Sequence, residues 1–76
     1  MVADVAERKL TGFGKRLREL RTAAELTQEA LGAKAGMRYQ AIAKLERGTG
    51  EPTWPTVLKL AAALGVEPND FLPREE

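Results

Sequence analysis

A chain of 76 residues with 43% hydrophobic and 30% charged side chains fits one small globular domain, which at this size buries only about 60% of the surface its unfolded chain exposes. It contains no His, Cys or Ser, which removes disulfides, most nucleophile and base pairs, the common zinc sites and the usual neutral-pH proton shuttle. The net charge of +1 hides a split: ten Lys/Arg accompany four glutamates between Arg8 and Gly48, and the rest carries two basic and seven acidic side chains, a pattern that points to a basic face on the first two-thirds.

Residues 1–10, MVADVAERKL, carry two acids and no continuous apolar segment, unlike a secretion signal, and are the segment most prone to fray. They are read as a flexible N-terminal segment ahead of one domain over residues 11–76. No apolar run approaches the ~18 residues that span a bilayer, so a cytoplasmic location and no membrane partner are expected. After Gly12, FGKRLRELRTAAE sets Phe13, Leu17, Leu20 and Ala24 on one helical stripe, predicting a first helix that ends near Ala24. The Thr27 hydroxyl can cap a second helix from Gln28 to Lys34 or Ala35, with Ala30, Leu31 and Ala35 inward.

Gly36 predicts the stop, because a helix C-terminus commonly needs one residue in the left-handed region, which glycine enters without a Cβ clash. A third helix follows from Arg38 to Arg47, with Ile42, Leu45 and Glu46 inward and Gln40, Lys44 and Arg47 on the opposite side at about 100° per residue. GTGEP reads as a loop. Thr53 then caps a fourth helix with Trp54 and Pro55 in its first turn, an apolar face of Val57, Leu58, Leu60, Ala61 and Leu64, and Gly65 at its end. VEPNDFL predicts a short fifth helix starting at Pro68 and anchored by Phe71 and Leu72. The expected fold is all-α, a compact five-helix bundle whose helices are too short to persist alone and depend on packing.

Two short helices joined by a tight glycine-bearing turn, the second with an outward polar and basic face, are what a helix-turn-helix requires. LTQEALGAKAG, IAKLERG, Pro52, LKLAAALGV and FL follow one another between Phe13 and Leu72, and in this order they resemble the phage repressor and Cro type of helix-turn-helix family. The resemblance implies a lambda-repressor-like DNA-binding domain whose partner is double-stranded DNA. It places Gln28 on a phosphate and Tyr39, Gln40 and Lys44 where base-reading side chains sit. The DNA-facing set is then Thr27, Gln28, Arg38, Tyr39, Gln40, Lys44, Arg47 and Thr49. The chemistry of two of them agrees. The Gln40 amide can donate and accept together, matching adenine N6 and N7, and the Lys44 ammonium can donate to guanine O6 and N7.

Departures from the family pattern fall at three positions. Tyr39 stands where glutamine is frequent and cannot make a paired adenine contact, so it contacts a phosphate, touches a thymine methyl or packs against the second helix. Arg38 holds the cap position of the third helix, where Ser or Thr is preferred, and its charge suits a phosphate. Glu51 lies where a basic residue would grip the backbone, leaving free amides near Thr49 and Gly50 for that role. Arg21 and Glu46 form a second family feature, a structural ion pair between the first and third helices, consistent with the inward angle of Glu46. The expected molecule is a repressor-like transcriptional regulator, not an enzyme, with no metal and no cofactor. It works as a homodimer reading two half-sites about 34 Å apart, and Trp54, Phe71 and Leu72 either seal the core or meet the second copy. The alternative is a protein-interaction module of the same fold, such as an antitoxin or coactivator-like domain with an unknown protein partner. Glu51 and Tyr39 favour it and the basic third helix opposes it.

Overall fold

The structure, a computed structural model, describes the backbone of residues 2–72 and the side chains of residues 12–72. Four α-helices follow in order: α1 (Val2–Ala23), α2 (Gln28–Ala35), α3 (Tyr39–Arg47) and α4 (Trp54–Leu64), then a 3₁₀ turn at Pro68–Phe71. Among the described residues no strand occurs, and no helix is long and apolar enough to cross a membrane. The expected fifth helix is thus replaced by a single turn. PNDF is only four residues long. The Glu67 carbonyl accepts from the Asp70 amide at 2.9 Å and the Asp70 carboxylate accepts from the Glu67 amide at 3.0 Å. The backbone returns to an extended conformation at Leu72, too early for α-type bonding to be established.

The first helix also differs from expectation. It begins at Val2, well before Gly12. The first ten residues include Ala, Glu, Arg, Lys and Leu, all good helix formers, and no Gly or Pro, so nothing local stops the helix from extending toward the N-terminus. Residues 2–10 of the segment read as flexible have their backbone within α1, and residue 1, the side chains of that segment and residues 73–76 of the expected domain lie outside the described residues.

Local punctuation follows the sequence closely. Thr27 accepts from the Ala30 amide at 2.9 Å and Thr53 from the Thr56 amide at 3.3 Å, each satisfying an amide that its helix leaves free. Gly36, Gly48 and Gly65 end α2, α3 and α4 with φ of 71°, 79° and 71°. Between α1 and α2 the chain uses no glycine: Glu25 itself adopts φ 61°.

Each helix contributes one side chain with no solvent exposure: Leu17 from α1, Leu31 from α2, Ile42 from α3 and Leu60 from α4. Full burial of such a side chain contributes about 1.5–3 kcal/mol, so these four positions carry much of a small core. Phe71 closes the end of that core, its ring 5.0 Å from the ring of Phe13 and tilted 34°. The Arg16 guanidinium holds the 3₁₀ turn against α1, its Nε donating to the Asp70 carbonyl at 2.9 Å and its Nη1 to Glu19 at 2.7 Å. Leu58, expected on the apolar face of α4, is 43% exposed, and Leu72, expected either to seal the core or to meet a second copy, is 40% exposed. Among the described residues no further helix follows α4 to cover them.

Candidate nucleic-acid interface

The site is built by the turn between α2 and α3. The Gly36 and Met37 amides both bond back to the Gly32 carbonyl, Met37 at 2.8 Å, so α2 closes tightly before α3 departs. Gly32 is required by this closeness: a Cβ there would lie 2.6 Å from the Met37 carbonyl oxygen. α3 then divides cleanly, with Ile42 and Leu45 buried and Arg38, Tyr39, Gln40, Lys44 and Arg47 exposed. Tyr39 is 44% exposed, so it stands outward with Gln40 and Lys44 rather than buried against α2. Lys44 and Arg47 occupy the last turn of α3, where the helix dipole favours cations.

Arg38 is the N-cap of α3 and makes no side-chain cap bond, as its chemistry dictates. Replacing it by Ser would supply the missing acceptor. Arg38→Ser is expected to raise stability by about 1 kcal/mol, read as a higher Tm. An unchanged Tm would show that this helix end does not need a cap.

Three residues of the expected DNA-facing set carry bonds within the chain. Gln28 is half-buried, and its Nε2 donates to Glu46 Oε1 at 3.1 Å, so one amide proton points into the molecule. The Thr27 oxygen is occupied as the α2 cap. The amide expected to be free at Thr49 is taken: it donates to the Lys44 carbonyl at 3.1 Å, and the Thr49 hydroxyl donates to the same oxygen at 3.1 Å. Helix termination consumed it, because α3 needs its last carbonyls satisfied.

Behind this face lies the ion pair. Arg21 Nε donates to Glu46 Oε2 at 2.6 Å and Nη2 to Glu46 Oε1 at 3.2 Å, a bidentate arrangement that fixes geometry as well as charge. Arg21 Nη1 donates to the Leu26 carbonyl at 2.8 Å. Hydrogen bonding to Glu46 raises the Arg21 pKa above the ordinary guanidinium value, with coulombic attraction adding to it and burial opposing it, so the cation stays charged throughout the working range. The family resemblance implied this pair but not its third member, Gln28, nor the part of Gly14, whose backbone lies directly against α3. A glycine inside a helical pattern was the available signal for the second of these.

The pattern of the helix-turn-helix family matches the chain over residues 17–71, a span that includes α2, α3 and the ion pair with Gln28. The chain belongs to that family. Helix-turn-helix proteins similar to it include the uncharacterized HTH-type transcriptional regulator RghRB of Bacillus subtilis, 43% identical over 58 residues, 75% of this chain and 42% of that protein. The chain therefore spans under half of that relative's length. It is 44% identical over 59 residues to the uncharacterized HTH-type transcriptional regulator y4dJ of Sinorhizobium fredii, covering 78% of this chain and 74% of that one. Among solved structures, the restriction-modification controller protein C.AhdI from Aeromonas hydrophila superposes with a TM-score of 0.80 at 43% identity, covering 83% of this chain and 96% of that chain.

Proposed function

We propose that this helix-turn-helix protein is a sequence-specific DNA-binding transcriptional regulator, repressor-like, acting in the cytoplasm as a homodimer and without catalysis of its own. The observation that carries it is the outer face of α3, where Tyr39, Gln40, Lys44 and Arg47 are exposed while Ile42 and Leu45 anchor the same helix in the core. A short helix held rigidly from behind and polar in front suits insertion in a major groove. Gln40 reads adenine, Lys44 reads guanine and Tyr39 meets a neighbouring thymine methyl or phosphate. Arg38, Arg47 and Gln28 position the domain on phosphates, with Thr27 and Thr49 at the edges of the contact.

Paired titrations on a preferred and a random duplex test these roles. Lys44→Ala is expected to cost about 1–3 kcal/mol on the preferred site and little on random sequence. Arg47→Ala should weaken both alike and reduce the slope of log affinity against log salt by about 1. Equal losses on both duplexes for both variants would contradict the assignment.

The dimer is supported by where the exposed apolar side chains collect. Trp54, the chain's only tryptophan, is 63% exposed. With Pro68 and Leu72 it lines an open groove of about 360 Å³, rimmed by Glu67 and Asn69, and Leu58 stands one turn along α4 from Trp54. A protruding ring beside a recess suits a two-fold contact between identical surfaces. Trp54 emission is expected to move to the blue as protein concentration rises through the dimer dissociation constant. Emission that stays fixed while sedimentation reports a dimer would place the interface elsewhere.

One observation favours the other reading. With Glu51 exposed and the Thr49 amide engaged, the loop after α3 grips a phosphate poorly, as a protein-interaction module would. A domain with no affinity for random duplex at low salt belongs to that class.

A further inference from the structure

The Glu46 carboxylate does more than close an ion pair, because it receives N–H groups from two other segments of the chain. Oε2 accepts from Arg21 Nε at 2.6 Å, and Oε1 accepts from both Arg21 Nη2 at 3.2 Å and Gln28 Nε2 at 3.1 Å. Arg21 reaches onward to the Leu26 carbonyl at 2.8 Å, just before α2. The result ties the end of α1, the start of α2 and the end of α3 to one carboxylate whose side chain is only 6% exposed. An acceptor this little exposed, receiving three N–H groups, leaves its partners little rotamer freedom.

Gln28 is the one member of this network on the DNA-facing list. A glutamine side chain has three rotatable bonds, and ordering them at the moment of binding has an entropic cost. Here the cost is met on folding, since one Nε2 proton is already held by Glu46. The other Nε2 proton is set in direction by the planarity of the amide. A carboxylate this close to a phosphate contact would repel the DNA were its charge unmatched. Arg21 matches it with two bonds, so the cluster presents an oriented amide rather than an anion.

We propose that Glu46 is a positioning residue for DNA binding, fixing the Gln28 amide so that its second N–H meets a backbone phosphate. The proposal rests on the DNA-binding reading above and on the placement of Gln28 within it.

A two-by-two set of variants tests it: wild type, Gln28→Ala, Glu46→Gln and the double variant, each with duplex affinity and a thermal melt. Glu46→Gln keeps only one of the two acceptor oxygens, for which the two N–H groups of Arg21 compete with Gln28, and its NH₂ faces a donor, so Gln28 is held less firmly than by the carboxylate. Gln28→Ala is expected to weaken affinity about 5-fold, as for one hydrogen bond. Glu46→Gln should weaken it by a similar factor in the wild-type background and by none in the Gln28→Ala background, although its Tm loss persists in both. Equal affinity losses in the two backgrounds would overturn the proposal, as would no loss from Glu46→Gln in the wild type. If Gln28→Ala binds as tightly as wild type, the proposal fails while DNA binding itself stands. If the wild type binds no duplex, both fail. Should Glu46→Gln not fold, the wild-type protein decides by NMR. One Gln28 Nε2 proton should then be protected from exchange with solvent before DNA is added, and two protons exchanging as fast as those of an exposed glutamine would refute the idea.

Discussion

Glu46→Ala should lower stability by about 3 kcal/mol, far above the value of a surface ion pair. Exposed pairs contribute under about 1 kcal/mol because water screens them and two long side chains must be ordered. Breaking a buried pair costs about 3–5 kcal/mol, because the surviving charge keeps its desolvation penalty without its partner. The Arg21 and Glu46 side chains are 15% and 6% exposed, which puts this pair near the buried case. The lower end applies because Arg21 would keep its bond to the Leu26 carbonyl. Gln28 would also lose its acceptor, which adds to the cost. At about 4–8 °C per kcal/mol for a domain of this size, Tm should fall by about 12–24 °C. A fall of under about 3 °C would show that the pair behaves as an exposed one.

Gly14→Ala is expected to destabilise by about 2 kcal/mol even though alanine is the better helix former. A Cβ at position 14 would fall well inside contact distance of the Leu45 carbonyl oxygen and 2.8 Å from that of Glu46. Both are backbone atoms, so no rotamer change relieves the clash and α1 must move away from α3. Overpacking of this kind costs about 1–3 kcal/mol, occasionally more, and the upper end suits an obstacle that cannot rotate. The gain in helix propensity returns about 1 kcal/mol. Gly50→Ala is the control, since a Cβ there meets nothing within 4 Å, and its Tm should scarcely change. A Gly14→Ala protein as stable as the wild type would mean that α1 and α3 can separate freely. DNA affinity should fall with stability at this position, because α3 carries the proposed reading face on the side away from the same contact.

What could be read from the sequence was mostly local. The Thr27 and Thr53 caps and the stops at Gly36 and Gly65 depend on bonds within a few residues, so residue type alone indicated them. The outward set on α3 was legible because Ile42 and Leu45 fix the phase of a nine-residue helix. The same angular count turned Glu46 inward, and the family resemblance supplied Arg21 as its partner. Features that depend on a distant segment were not legible. Gly12 read as a boundary, yet it lies within α1, and Gly14, already inside the expected helix, is explained by the approach of α3. Periodicity gave α4 a broad apolar face but could not say that Leu58 and Trp54 would lie uncovered. Nothing in the spacing of Gln28 and Glu46 announced a bond across 18 positions. The fifth helix failed for a simpler reason: PNDF is long enough for one turn only.

Selection of bound duplexes from a random library tests most directly whether the exposed face of α3 reads bases. The wild type should enrich one short motif repeated about two-fold, with half-sites one helical turn apart or a multiple of it. Lys44→Ala should enrich the same motif with one position per half-site relaxed. A library that returns unenriched, or a motif identical for Lys44→Ala and the wild type, would contradict the proposed role of that face.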